Sequence, residues 1–255
     1  MMFGSFTQRP VRSGVCAFVI AFIGLMFEPG AKSAFAQTRS QVYGSDLEKQ
    51  AMTVFVEADM AQTTYDSKTA ESKESQQTPT YKLGGWVGEN RNVGLIASTT
   101  ESSVPFVLNN SSMRTAMKDI KMRARFGWIS PTVAATLTEV KVVKAESTVV
   151  DLYGTGYGAG AEVQFPLHDR VVVAAEGMAF TTPSSFARNA EPIAPETSLG
   201  DRVEADVSAS VDLTRRTLDL VVGYKVRNYS IIIDDETKKE KAQGAYVGLR
   251  LGLYF

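Results

Sequence analysis

His168 is the only histidine in the 255-residue chain, and histidine is the side chain best suited to proton transfer near neutral pH. A histidine that activates a nucleophile must stand within hydrogen-bond reach of it. His168 lies in Pro166-Leu167-His168-Asp169, which reads as a short turn between two extended segments and leaves the ring solvated. Gly154-Thr155-Gly156-Tyr157-Gly158-Ala159 satisfies the loose dinucleotide fingerprint, but that motif needs a helix directly after it to meet a pyrophosphate. Here alternation continues through Val163 and Phe165 until Pro166, so the glycines read as the small inner face of a strand. The single cysteine, Cys16, sits in an apolar run and lacks the small preceding residue expected at a lipid-attachment site. One histidine and no cysteine beyond residue 36 do not make a zinc set. No catalytic, cofactor-binding or metal-ligating residue is assigned, no cofactor is expected, and the chain does not read as an enzyme.

What remains is charge at alternate positions. Arg123, Arg125, Glu162, Glu204, Asp206, Asp212, Asp219 and Arg250 each fall opposite an apolar face. Lys121 and Glu176 share the pattern. Charges of both signs on an inner face read as a paired network that fills a lumen, since buried charges need partners. The sharper reading is a narrow aqueous path.

The elements that would position them are strands. Val203, Ala205, Val207, Ala209, Val211 and Leu213 share one face, while Arg202, Glu204, Asp206, Ser208, Ser210 and Asp212 share the other. Eleven residues of unbroken alternation exceed a typical soluble strand and match the 9–11 residues that cross a bilayer at a tilt. Met52–Met60, Tyr81–Val87, Val93–Ala97, Ile120–Trp128, Tyr157–Phe165, Val171–Thr181, Leu218–Val226 and Ala245–Phe255 follow suit; residues 132–145 read as a strand of unassigned phase. The count is ten, within a range of eight to twelve. Short connections are expected near 89–92, 130–131, 166–169 and 214–216, and long polar loops near 66–78, 100–112, 146–154, 182–200 and 230–242. Closing the first strand on the last removes bare edges that hydrocarbon would penalise. Aromatics near strand ends (Trp128, Phe165, Tyr224, Tyr254, Phe255) suit an interfacial belt.

The first 36 residues differ. Arg9 and Arg12, the apolar run Val15 to Phe27, and Ala34-Phe35-Ala36 follow the order of a cleaved signal peptide. Residues 37–49 read as a short polar periplasmic lead and 50–255 as the barrel. Removing the leader takes away Arg9, Arg12, Lys32 and Glu28 and moves the formal charge from −1 to about −3. That balance gives no basis for nucleic-acid binding.

The terminal strand, with Leu249, Leu251, Leu253, Tyr254 and Phe255, resembles the C-terminal signature of bacterial outer-membrane β-barrel proteins. The resemblance implies an all-β, closed antiparallel transmembrane barrel in the outer membrane of a Gram-negative cell, with short periplasmic turns and longer extracellular loops. It implies outer-membrane lipid and lipopolysaccharide as surroundings, and the barrel-assembly machinery as reader of the last strand. Barrel hydrolases of that superfamily resemble one another in a histidine towards the outer half, whereas His168 reads at the periplasmic end. The expected role is therefore structural or surface-interacting. A narrow ion or small-solute channel is the alternative, followed by an outer-membrane hydrolase and a soluble lipocalin-like exported binder.

Overall fold

The computed structural model describes residues 52–88, 92–107, 110–144, 147–187, 197–214 and 217–254. They form ten strands: β1 (Met52–Ser67), β2 (Ser72–Val87), β3 (Val93–Phe106), β4 (Ser111–Ala124), β5 (Ile129–Lys144), β6 (Ser147–His168), β7 (Val171–Ala187), β8 (Thr197–Asp212), β9 (Leu218–Ile233) and β10 (Glu236–Tyr254). Each pairs antiparallel with its sequence neighbours, and β1 pairs with β10 from Thr53↔Tyr254 to Ser67↔Glu240, so the barrel closes. The expected signal peptide, the lead and Phe255 lie outside the described residues. The end at which β1 starts and β10 finishes is here the terminal end, and the opposite one the distal end.

In the terminal half the alternation has one sense, apolar outward and charged inward. On β4, Ile120 faces out while Asp119, Lys121 and Arg123 are buried inside. Residues 132–145, of unassigned phase in the sequence, resolve in β5 with Thr132, Thr136 and Thr138 inward and Ala135 outward. On β1 and β10 the outward apolar stretch covers about nine residues (Met52–Met60, Ala245–Leu253), which at barrel tilt spans roughly 20–25 Å, the height of a lipid-facing band. Trp128 and Phe165 pack at 5.6 Å between ring centroids at the terminal edge of this band.

In the distal half the sense reverses. On β3, outward Leu95 is 58 % exposed and inward Phe106 is 0 % exposed. On β4, Met113 and Met117 turn inward while Arg114 and Lys118 face out. On β9, Tyr229 and Ile231 turn inward and Asn228 faces out. This reversal corrects the expected loops. Residues 66–78, 100–112, 146–154 and 230–242 are largely strand, as are the described residues of 182–200; the distal strand ends fall at 67 and 72, 106 and 111, 144 and 147, 187 and 197, and 233 and 236. Asp234 and Asp235, with φ of 49° and 62°, make a two-residue hairpin turn of the kind that follows strand twist. At the terminal end, Ser130-Pro131 and Pro166-Leu167-His168 also belong to strands, and the turns fall at 125–128 and 169–170.

The reversal coincides with a change of architecture. β2 pairs with β3 only from Thr80↔Thr100 to Val87↔Val93, and β7 with β8 only from Val171↔Val211 to Phe180↔Arg202. The other eight ladders run on into the distal half. Beyond those points the barrel therefore continues as two facing five-stranded sheets, β8-β9-β10-β1-β2 and β3-β4-β5-β6-β7. Their inner faces supply one apolar core: Tyr65, Leu199, Tyr229, Ile231 and Ala242 from the first, and Val104, Phe106, Met113, Met117, Val140, Val142, Val150 and Leu152 from the second. Pro79, Pro105 and Pro183 lie on three of the four strands that lose a partner; proline lacks the amide donor and is confined to such edges. A register shift between Leu199 and Arg202 bends the fourth.

Candidate functional site

The interior of the closed half is the candidate site, because alternate residues of eight of the ten strands bring their charges into one narrow space. Arg123 donates to Glu162 at 2.6 Å and pairs with Glu176 at 2.8 Å; Lys121 donates to the same Glu176 at 2.9 Å. These bonds join β4 to β6 and β7 across strands that are not neighbours, so side chains brace the lumen. On the other wall Glu57 accepts from Lys82 and, at 2.5 Å, from Arg250, while Lys82 also pairs with Asp59 at 2.9 Å. Arg125 lies over the Trp86 ring, 4.0 Å from its centroid.

A second layer closes the lumen toward the distal half. Arg202 on β8 reaches Asp119 on β4 at 2.7 Å and stacks over Phe180 at 3.8 Å. Arg202 also lies 3.4 Å from Glu204, and Glu204 accepts from Arg227. Two guanidinium groups and two carboxylates thus neutralise one another, which is the condition for burying them. Immediately beyond, Tyr229 bonds Thr115 across the lumen at 3.3 Å and the apolar core begins.

Between this layer and the terminal end lies a chamber of about 150 Å³. Its lining includes Arg123, Arg125, Glu162, Glu204, Asp206, Asp219 and Arg250, seven of the eight charges that alternation assigned to the lumen. Asp212 is buried too, but it serves the β8–β9 turn, accepting from the Thr214 amide at 3.0 Å. Alternation also places Arg202 on the polar face of β8, and Lys225 and Arg227 opposite the apolar series of β9, without assigning them to the lumen set. Lys82, Asp119 and Tyr246 join the network or chamber without having been placed by spacing, although Lys82 interrupts an outward apolar series at an inward position. Tyr246 donates to Asp206 at 2.9 Å; its bulk is admitted because Gly223 opposite has no side chain, and a Cβ there would come within 2.6 Å of the ring.

The other sequence candidates fall where no such convergence exists. Gly158 lies on the inner face of β6, where a Cβ would stand 2.5 Å from the Phe180 ring, whereas Gly156 and Gly160 lie against the Thr181 and Gly177 carbonyls of β7. His168 is exposed at the terminal end of β6, its Nδ1 accepting from the Arg170 amide at 3.4 Å. Leu249, Leu251 and Leu253 face outward on β10, each about half exposed. Among the described residues no group of three or more histidine, cysteine, aspartate or glutamate side chains is placed to hold a metal ion.

No family model and no curated protein matches the chain. Solved structures do. The translocator domain of the autotransporter NalP from Neisseria meningitidis is similar at 9 % identity, covering 94 % of this chain and 99 % of that one, with a TM-score of 0.45. The outer membrane protease OmpT from Escherichia coli is similar at 7 % identity over 81 % of this chain and 97 % of that one, TM-score 0.42. Neisserial surface protein A is similar at 13 % identity over 78 % and 96 %, TM-score 0.34. These neighbours are bacterial outer-membrane β-barrels of differing roles, and what the chain shares with them is the closed antiparallel barrel.

Proposed function

We propose that this chain is an outer-membrane barrel whose closed half sits in lipid and whose two-sheet half stands outside the cell, with a structural or surface-interaction role. The observation that carries the reading is the axial reversal of polarity. An apolar exterior around a charged interior suits hydrocarbon, whereas a polar exterior around an apolar core suits water. The lumen is braced by ion pairs and then blocked by packed side chains, which supports a filled barrel over a conduit. His168, at the terminal end and bonded only to a turn amide among the described contacts, supports the non-enzymatic reading.

The partners follow from the surface. Outer-membrane lipid meets the apolar band. Lipopolysaccharide phosphates meet the outward basic residues just above it, Arg114 and Lys118 on β4, where Arg114 stands opposite Lys141, itself paired with Asp151 at 3.6 Å. The last strand, through Leu249, Leu251, Leu253, Tyr254 and Phe255, meets the assembly machinery.

Purified protein reconstituted in planar bilayers tests the role. The reading predicts heat-modifiable migration on a semi-native gel and no steady conductance. Stable, ion-selective steps altered by Arg123→Ala or Glu204→Ala would establish the channel reading instead. Cleavage of lipid A or peptide, abolished by His168→Ala, would establish the hydrolase.

A further inference from the structure

Near the distal tip a carboxyl group is buried with no base against it. Glu240 on β10 is 1 % exposed and stands on the inner face, in register with Ser67 of β1 and Tyr229 of β9. Its Oε1 accepts the Thr69 amide at 2.9 Å. Among the described residues the cations around it are engaged elsewhere. Lys68 pairs with Asp66 at 3.6 Å, Lys144 with Glu71 at 3.5 Å and Lys238 with Glu236 at 2.7 Å. Arg227, a layer below on β9, is held by Glu204, and Lys239 and Lys241 are exposed on the outer face of β10. The remaining titratable groups of the adjoining inner faces are Tyr65 on β1, its register partner Glu74 on β2, and Tyr229; none supplies a positive charge.

The Thr69 amide belongs to the β1–β2 turn, residues 68–71, which folds inward over the end of the distal core. Ala70 in this turn is 0 % exposed and is part of that core. Its amide donates to the Ser67 hydroxyl at 2.9 Å. Glu71 then takes a φ of 54°, a left-handed backbone that costs a residue with a side chain some strain. From there its carboxylate reaches Lys144 at the end of β5, in the opposite sheet. The turn thus bridges the two sheets. The exposed Glu71–Lys144 pair adds little to its seating, which leaves Ala70, Ser67 and Glu240 to hold it down.

We propose that the β1–β2 turn is a lid on the distal core and that Glu240 is its latch, holding the lid closed as a neutral carboxyl and loosening it on ionisation. A neutral carboxyl sits in an apolar wall while Oε1 still accepts the Thr69 amide. An ionised one has no counter-charge there and is drawn toward water. Burial pushes the Glu240 carboxyl above the ordinary carboxylate range, and the hydrogen bonds from Ser67 and the Thr69 amide offset this only in part. The closed turn therefore holds the proton more tightly than an open, solvated one. Its stability is full in acid and declines as pH rises through that raised value. Opening withdraws Ala70 and uncovers apolar surface at the tip of the barrel. The inference rests on the distal half standing in water, where the released carboxylate and turn amides find solvent.

The test is amide hydrogen exchange of residues 68–71, read by mass spectrometry on the full barrel in lipid nanodiscs and corrected at each pH for the rate of an unstructured peptide. Protection is expected to fall at least about tenfold between about pH 4 and pH 9, the change that a tenfold difference in proton affinity between closed and open forms produces. Glu240→Gln keeps the acceptor and cannot ionise, so it is expected to hold full protection throughout. Glu71→Gln removes only the exposed pair and is expected to keep the fall. Should Glu240→Gln lose its heat-modifiable migration, the direction of the change in the unaltered barrel decides. Protection that is flat or rises with pH, or a fall that persists in a folded Glu240→Gln barrel, would overturn the proposal. A spin label on Lys68→Cys reports the placement separately. A label reached by a water-soluble nickel chelate while protection stays flat defeats the latch alone, whereas a label shielded from the chelate defeats the placement and the latch with it.

Discussion

At the scale of single residues, burial of charge is tolerated only where each group has its opposite at hand. Arg202 shows the requirement most sharply, since it holds Asp119 at 2.7 Å and lies against Phe180 with almost no solvent contact. Removing one member of a buried pair strands the other and costs about 3–5 kcal/mol. Asp119→Asn leaves Arg202 with Glu204 at 3.4 Å, so the loss is expected at the lower end, about 3 kcal/mol, by urea unfolding in detergent micelles. Replacing both partners, Asp119→Leu with Arg202→Met, should recover most of that loss, because two apolar groups need no mutual compensation. A single-substitution cost below about 1 kcal/mol would show that water reaches this layer and compensates the charge. Residues of this kind were legible in part. Alternation placed Glu204 and Asp206 inward from spacing alone, yet it could not say that Arg202 would reach across to β4, because contact across a lumen depends on curvature that spacing does not encode.

At the scale of elements, each strand carries two patterns joined end to end. Β-strand β3 presents Leu95 to the outside near its start and Phe106 to the inside at its end. Two arginine substitutions on its outward face separate the environments. Leu95→Arg falls within the apolar band and is expected to cost about 2–4 kcal/mol of stability in bilayers. Ser103→Arg, eight residues on and on the same face, falls above the band and should be nearly neutral. Folding yields into lipid vesicles across a urea series measure both; equal effects would refute a boundary between them. Inside the distal core, Phe106→Ala empties the site of a fully buried ring and is expected to cost about 3–5 kcal/mol. A cost under 1 kcal/mol would mean that the two sheets do not pack. The joint between the patterns explains what sequence reading missed. A strand recognised by apolar residues on one face disappears when the sense inverts, as at Asn228–Ile233, where Tyr229 and Ile231 take over the inner face. The serine, threonine and glutamine that then face water resemble loop composition, and so 66–78 and 100–112 read as loops. The ten-strand count survived because every strand keeps a stretch of the first pattern, from about five residues at Val93–Ala97 to about nine at Met52–Met60.

At the scale of the whole molecule, one barrel meets two solvents in the proposed placement. The closed half has its ladders complete around the circumference, as hydrocarbon demands of every backbone group. The distal half gives up two ladders, at β2–β3 and β7–β8, and that concession is tolerable where water can satisfy the freed amides and carbonyls. Polarity and pairing change at the same level, and in the proposed placement a single physical reason accounts for both, the end of the bilayer. The measurement that tests this most directly is the accessibility of spin labels placed one at a time on the outward faces of the barrel, residues 50–255, reconstituted in lipid. Labels at Leu95, Ile120, Val207 and Val247 are predicted to be relaxed by dissolved oxygen and shielded from a water-soluble nickel chelate. Labels at Ser103, Arg114 and Lys241 should show the opposite. Nickel access at Leu95 and Val207 equal to that at Ser103 and Lys241 would contradict the account, since the apolar band would then face water rather than lipid.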